Sequence, residues 1–173
     1  MKLNKREIRM TKGNDGSGNI KERDYWETPQ WLFDILNKQY KFDLDCCANR
    51  KNRKVGNFCN NFLRFPHGSM YKCVWMNPPF SKANEIFEYY FEKINGIKSG
   101  VCIYRCDNME TRIWQYVILK NATWIFIPKG RICYEGMEGK GSRFPSALIG
   151  LNVEPPKGLN GFVLNIQKKE KSK

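Results

Sequence analysis

Apolar and polar positions change their spacing several times along the chain. Trp31, Leu32, Ile35 and Leu36 recur at steps of three and four residues through Tyr40, which predicts one amphipathic helix. Thr28 and Pro29 stand just ahead of it as an N-cap and first-turn pair. "KFDLDCCA" then reads as a strand and "KCVWM" as a second. Beyond it Ile86, Phe87, Tyr90, Phe91 and Ile94 share a helical face that Gly96 stops. "GVCIYR" predicts a third strand and Met109–Lys120 a further helix, and "TWIFIP", "RICYE", "SALIGL" and "FVLNIQ" predict short closing strands at hairpin-like spacing. Strand and helix alternating in this way point to an α/β domain, a mostly parallel sheet covered by helices and antiparallel at one end.

At either end the pattern fades. Residues 1–23 mix Lys, Arg, Asn and Gly, with almost no large apolar side chain after Ile8, and "GNDGSGN" has the composition of a linker. Residues 168–173, "KKEKSK", are a charge run. The expected organisation is a flexible basic tail over 1–23, one domain over 24–167 and a basic tail over 168–173. No apolar stretch approaches the ~18 residues that would span a bilayer, and Met1 to Arg9 carries no apolar signal core. A soluble, cytoplasmic protein, monomeric or weakly dimeric, is expected.

Charge narrows the choice of partner. The 173 residues hold 30 Lys and Arg against 17 acidic residues, a formal charge of +13, whose commonest physical meaning is a polyanionic partner rather than solubility alone. The seven cysteines are odd in number and the chain is not a short secreted one, so reduced thiols are expected rather than a disulfide framework. Cys46, Cys73, Cys102 and Cys133 lie in apolar runs, where cysteine behaves as a small hydrophobe. A zinc set of Cys47, Cys59, His67 and Cys73 lacks any C-x-x-C pair, and His67 is the chain's one histidine.

Chemistry gathers where strands end. In "VWMNPPF", Asn77, Pro78, Pro79 and Phe80 interrupt the chain between a strand and a helix; two prolines remove two backbone donors and stiffen the turn. Asp43 and Asp45 mark the other strand end, and the helix start at Thr28 and Pro29 offers backbone donors and a dipole to a carboxylate. Ligands of α/β sheets bind beyond the carboxyl ends of the strands. These three features together suit a zwitterionic, cationic small molecule held against a planar ring.

"NPPF" after an apolar strand resembles the amino-methyltransferase motif of Asn, Asp or Ser followed by two prolines and an aromatic. "DYWETPQWLFDIL" followed by "FDLDCCA" is similar to the opening of the phage DNA N-6-adenine-methyltransferase family, a Dam-type group, and the resemblance runs from about Asp24 to Leu151. "PKGRICYEG" and "FPSALIG" look like that family's later strands.

The resemblance implies a Rossmann-like S-adenosylmethionine-dependent methyltransferase fold, phage-encoded and acting in the host cytoplasm. It implies methyl transfer from S-adenosylmethionine to the exocyclic amine of an adenine flipped out of DNA. Asn77 and the Pro78 carbonyl would accept the two N–H bonds of that amine, Pro79 would hold the turn, and Phe80 would stack on the base. Trp26, Thr28 and Pro29 would face the donor's carboxylate end, and Asp45 and Asp43 its ammonium or ribose hydroxyls. Asn61, or its neighbour Asn60, stands where relatives often carry an acidic residue for the donor's adenine.

The chain also departs from the broader methyltransferase pattern. "DLDCCANRKN" replaces a Gly-rich loop. Only about thirty residues separate Asp45 from Asn77, too few for two more strand–helix units, so a shortened sheet is expected. No separate target-recognition domain is expected, so sequence preference should be short, relaxed or supplied by loops such as Arg50–Lys54 and Tyr134–Arg143. The same four-residue motif serves enzymes that act on cytosine N4, on RNA amines or on a protein glutamine. A non-catalytic nucleic-acid binder on the same fold is the alternative of a different class.

Overall fold

The computed structural model describes residues 23–65, 70–93, 98–136, 142 and 144–166. Of the tail expected over 1–23, residues 1–22 lie outside the described residues, as do the tail expected over 168–173 and the helix end at Ile94 and Gly96; Arg23 is described and is buried.

Helix α1, Gln30–Tyr40, forms where the apolar period foretells it and buries Leu32, Phe33 and Leu36. Its N-cap is Pro29, one residue later than expected, because the ladder begins at the Pro29 carbonyl, which accepts the N–H groups of Leu32 and Phe33. Thr28 therefore makes no cap, and its hydroxyl is left for other use. The helix ends on Lys41 in the left-handed region (φ 56°), whose N–H donates to the Asn37 carbonyl.

Strand β1 is only Leu44–Asp45. Its continuation turns away after one further ladder bond, Cys46 N–H to the Trp75 carbonyl at 2.9 Å. β2 is Val74–Met76, followed by the tight turn Phe80–Lys82, helix α2 at Ala83–Glu88 and a wide helical turn over Tyr89–Lys93. β3, Gly100–Arg105, leads to a wide helical stretch at Ile113–Ile118 that tightens into α3, Leu119–Asn121. β4 (Trp124–Pro128), β5 (Ser146–Leu151) and β6 (Gly161–Asn165) complete one sheet in the order β1-β2-β3-β5-β4-β6.

β1, β2 and β3 pair in parallel, whereas β5 runs antiparallel to both β3 and β4, and β6 antiparallel to β4. Four strands thus point one way, but β5 inserts between β3 and β4, and only two of the five ladders are parallel. The sheet is mixed rather than mostly parallel. After Ser146, "SALIGL" is apolar because both its faces are covered, and such a run carries no sign of its direction. "RICYE" is not a strand: Gly130 and Gly136, both at φ 86°, turn the chain on either side of it. Glu135 keeps a single antiparallel bridge with Glu27.

Both faces of the sheet are buried except at the edge strand β6, where Phe162 and Leu164 are exposed. Cys102 and Tyr104 of β3 point into a core with Met76, Phe87 and Trp114, beneath α2 and the 113–121 helix. Val101 and Ile103, alternating with them, join Leu32, Phe33, Trp75 and Phe126 beneath α1. Among the described residues no helix is long and apolar enough to cross a membrane, and no group of three or more His, Cys, Asp or Glu side chains is placed to hold a metal ion.

Candidate active site

A cleft of about 380 Å³ opens at the carboxyl ends of β1 and β2. Its walls come from four places: the strap Asp24–Thr28, Asp45, the loop carrying Asn49, Asn52 and Lys54, and the turn after β2 with Asn77 and Pro79. Asn60 and Asn61, just before the short turn Phe62–Arg64, close another side.

Asn77 is fixed by the strap. Its Nδ2 donates to the Trp26 carbonyl at 3.1 Å, so Oδ1 is the end of the amide left as an acceptor on the cleft wall. Pro78 is buried behind it, and the Pro79 carbonyl accepts the Lys82 N–H at 3.1 Å, closing the turn. Phe80 stands half-buried with its ring edge-on to Trp26 (6.0 Å) and to Phe144 (5.4 Å). Trp26 stacks in turn against Tyr134 and Phe144, and the Arg105 guanidinium lies 4.9 Å from the Phe144 ring centre. Side-on packing of this kind holds an aromatic ring without covering its whole face.

Asp45 is 3% exposed and lines the cleft. It accepts the N–H of Lys54 at 3.0 Å and that of Cys47 at 3.4 Å. Burial raises its pKa to about 6, against the opposing pull of those two N–H groups and of the Lys54 charge. Asp43 acts elsewhere, for its carboxylate accepts the N–H groups of Lys72 (2.7 Å) and Cys73 (3.1 Å) and fastens the chain entering β2. It is not among the cleft-lining residues, and neither is Pro29, which opens α1. Thr28 does line the cleft; it is 2% exposed, and its Oγ1 has no hydrogen-bond partner.

The helix start, expected to be free for a ligand, is partly taken. Glu135 Oε1 accepts the Gln30 N–H at 2.7 Å, while Lys54 Nζ lies 3.3 Å from Glu135 Oε2 and 3.2 Å from Gln30 Oε1. Lys54, grouped with Arg50 and Lys51 as a recognition loop, is thus turned toward the cleft, whereas Arg50 and Lys51 are exposed. Tyr134 is buried, with its hydroxyl 2.9 Å from Ser146 Oγ, so that end of the other expected loop belongs to the core. Residues 137–141 and 143 of that loop lie outside the described residues.

A second cleft, about 450 Å³, adjoins the first across the Phe80 turn and shares Ser81 and Lys82 with it. Phe80 and Tyr104 form its aromatic side; Asn108, Thr111 and Arg112, from the segment after β3, form its polar side. Asp24, Tyr104, Asn108 and Phe144 stand at or beside the clefts without being singled out in the sequence. Asp24 carries a faint signal, lying two residues from Trp26 in "DYWETPQ"; Glu135 falls inside the expected Tyr134–Arg143 loop, but nothing in the sequence announces that it meets Gln30 across 105 residues.

The model of the DNA N-6-adenine-methyltransferase (Dam) family matches residues 17–147. A DNA N-6-adenine-methyltransferase of Haemophilus phage HP1 (strain HP1c1) is 40% identical over 77 residues, 42% of this chain and 42% of that protein. One of Escherichia phage T1 is 38% identical over 64 residues, 35% of this chain and 26% of that protein. The aligned stretch is thus less than half the length of either relative. With the family match extending over most of its length, the chain belongs to the DNA N-6-adenine-methyltransferase (Dam) family.

Proposed function

We propose that the protein transfers a methyl group from S-adenosylmethionine to the N6 amine of an adenine flipped out of DNA. The observation that carries this reading is the Asn77 amide, whose nitrogen is committed to the Trp26 carbonyl and whose oxygen is thereby offered to the cleft. The family's phage relatives are named for this activity. We read residues 24–167 as one methyltransferase domain of Rossmann-like form, flanked by basic tails and working in the host cytoplasm. Three parallel strands with the chemistry at their carboxyl ends support that form.

The first cleft fits the donor. Its volume falls within the ordinary range for a small-molecule site. Its wall holds an orphaned buried hydroxyl, Thr28 Oγ1, a buried carboxylate, Asp45, and polar side chains at Asn60 and Asn61. A buried polar atom without a partner is uncommon and marks a place where a ligand group can complete the bonding. Thr28 would meet the carboxylate end, Asp45 the ammonium or the ribose hydroxyls, Trp26 the adjoining wall and Asn61 the adenine. When bound, S-adenosylmethionine supplies an electrophilic methyl group on its sulfonium.

The chain supplies nucleophilicity. The lone pair of an adenine amine is delocalised into the ring, so the nitrogen attacks poorly. Asn77 Oδ1 and the Pro78 carbonyl, each accepting one N–H, would favour the tetrahedral nitrogen and localise that lone pair. No general base is needed, since the methylated nitrogen is acidic and releases its extra proton to solvent. Phe80 would stack on the base, offsetting part of the few kcal/mol that flipping costs. The second cleft, with Phe80 and Tyr104 on one side and Asn108 and Thr111 on the other, would receive the flipped nucleotide.

The substrate class is tested by incubating the protein with methyl-labelled donor and, separately, DNA, RNA and protein. Label is expected in DNA, with transfer falling steeply as salt rises because the +13 charge meets phosphates. Label confined to RNA or to protein would overturn the reading, and no label in any would leave a nucleic-acid binder on this fold.

A further inference from the structure

We propose that Asp24 is a positioning residue for the Asn77–Phe80 turn, acting through Ser81. The proposal rests on the methyl-transfer reading above and adds to it a residue that sets the acceptors and the stacking ring.

The turn cannot hold itself. Pro78 and Pro79 have no N–H, and Pro79, the N-cap of the short turn Phe80–Lys82, makes no side-chain cap bond. Its internal support is the Lys82 N–H to the Pro79 carbonyl. Asp24, 57 residues earlier, supplies the missing cap: Oδ1 accepts the Ser81 N–H at 2.8 Å, and Oδ2 accepts the Ser81 hydroxyl at 2.5 Å. Both oxygens of one carboxylate thus hold the residue next to Phe80, an arrangement stronger and more directional than a single neutral bond.

Two residues along the same strap, the Trp26 carbonyl takes the Asn77 amide, and the Trp26 ring meets the Phe80 ring edge-on. The strap therefore grips the turn at Asn77, Phe80 and Ser81. Releasing Ser81 would let Phe80 and the two acceptors drift relative to the cleft. A misplacement of about 1 Å at a reacting centre costs on the order of 10²-fold in rate. Since Ser81 and Lys82 line both clefts, the strap fixes the partition between the donor side and the base side.

The test compares wild type, Asp24→Ala, Asp24→Asn, Ser81→Ala and the Asp24→Ala/Ser81→Ala double variant. Each is measured for kcat at saturating donor and DNA, for donor Kd, for melting temperature and for hydrogen exchange of the Ser81 amide. Asp24→Ala is expected to lower kcat by ~10- to 100-fold with the fold retained. Asp24→Asn recovers most of that loss, since its amide oxygen can still accept from the Ser81 N–H and its nitrogen donate to the hydroxyl. Ser81→Ala loses less, because the backbone bond survives, and the double variant is no worse than Asp24→Ala, because the hydroxyl then has nothing left to bond. The Ser81 amide exchanges faster in Asp24→Ala.

A wild-type kcat in Asp24→Ala, losses that simply add in the double variant, or an unchanged Ser81 exchange rate would each overturn the proposal. Should Asp24→Ala fail to fold, Ser81→Ala decides: a reduced kcat at unchanged donor Kd supports the proposal and a wild-type kcat sinks it. A wild type that transfers no methyl group sinks the methyl-transfer reading instead, and the exchange rates still decide whether Asp24 holds the turn.

Discussion

The two halves of the sheet are held by different means. On one side β3, β5, β4 and β6 form ladders of up to six residue pairs, lined by Trp124, Ile125, Phe126, Leu148 and Ile149. On the other, β1 and β2 pair over two residues and β2 and β3 over three. The short side carries both clefts. Where the ladders are short, side chains take over: Asp43 fastens the start of β2, Asp45 holds the Lys54 loop, Asp24 caps the Phe80 turn, and Trp26 holds Asn77. Long backbone ladders fix one half, whereas in the half with the site, where Leu44, Val74, Trp75 and Met76 are equally buried, short ladders are supplemented by carboxylates gripping backbone N–H groups. Substitutions in the two halves should therefore fail differently.

The largest expected effect falls on the site half without loss of fold. Asn77→Ala would remove the acceptor proposed to act chiefly as the amine becomes tetrahedral, and losing one such preorganised contact is expected to lower rate by ~10²- to 10³-fold. Single-turnover transfer beside donor and DNA binding is the check; the binding of either ligand should hardly move. Phe80→Ala sharpens the contrast, because a lost stacking platform is expected to raise KM for DNA as well as lower turnover.

Gly150→Ala probes the other half. A Cβ there would overlap the Trp124 indole across the β4–β5 ladder. Overpacking of this sort costs ~1–3 kcal/mol, read as a lower midpoint in denaturant, while donor affinity extrapolated to the folded protein stays as it was. Should Gly150→Ala damage transfer and leave stability intact, the division between the halves would fail.

Asp45 joins the two properties. Asp45→Ala is expected to weaken donor binding by ~1–3 kcal/mol, the cost of a lost charged hydrogen bond, and calorimetry measures it directly. Its pH behaviour has a definite sign. Burial lifts the folded-state pKa from 3.8 to about 6, so in that window the folded protein binds a proton that the unfolded chain has released. This group's contribution to stability is therefore present at low pH and lost as pH rises through about 6. If Asp45 meets the donor's ammonium as proposed, donor affinity should run the other way and fall as pH drops below about 6, because the ammonium favours the ionised carboxylate. Asp45→Asn should flatten both curves, and a donor affinity in that variant still following the wild-type pH profile would remove Asp45 from the site.

What can be seen in the sequence divides along the same line. α1, β2, β3, β4 and β5 follow from local apolar periodicity, because each buries a face or a whole run. Asn77–Phe80 and the Trp26–Thr28 segment stand out in the sequence because their residue types are unusual where they stand, and the fold brings them together at the first cleft. The direction of β5 is not legible, since an apolar run buried on both faces pairs equally well either way. Asp43 and Asp45 look alike, two residues apart on one expected strand. β1 begins only at Leu44, however, which leaves Asp43 outside the strand to fasten β2 and brings Asp45 to the cleft. The grips of Asp24 on Ser81 and of Glu135 on Gln30 span 57 and 105 residues, and no local pattern announces a partner that far away.

The central claim is that this turn methylates adenine at N6 in DNA, and the most direct measurement is the chemical identity of the product. Unmethylated DNA is incubated with wild-type protein and S-adenosylmethionine, digested to nucleosides and analysed by mass spectrometry beside the same reaction with Asn77→Ala. N6-methyladenine that accumulates with wild type and is reduced by ~10²-fold or more with the variant is the expected result. N4-methylcytosine in its place, or N6-methyladenine formed equally by both proteins, would contradict the account.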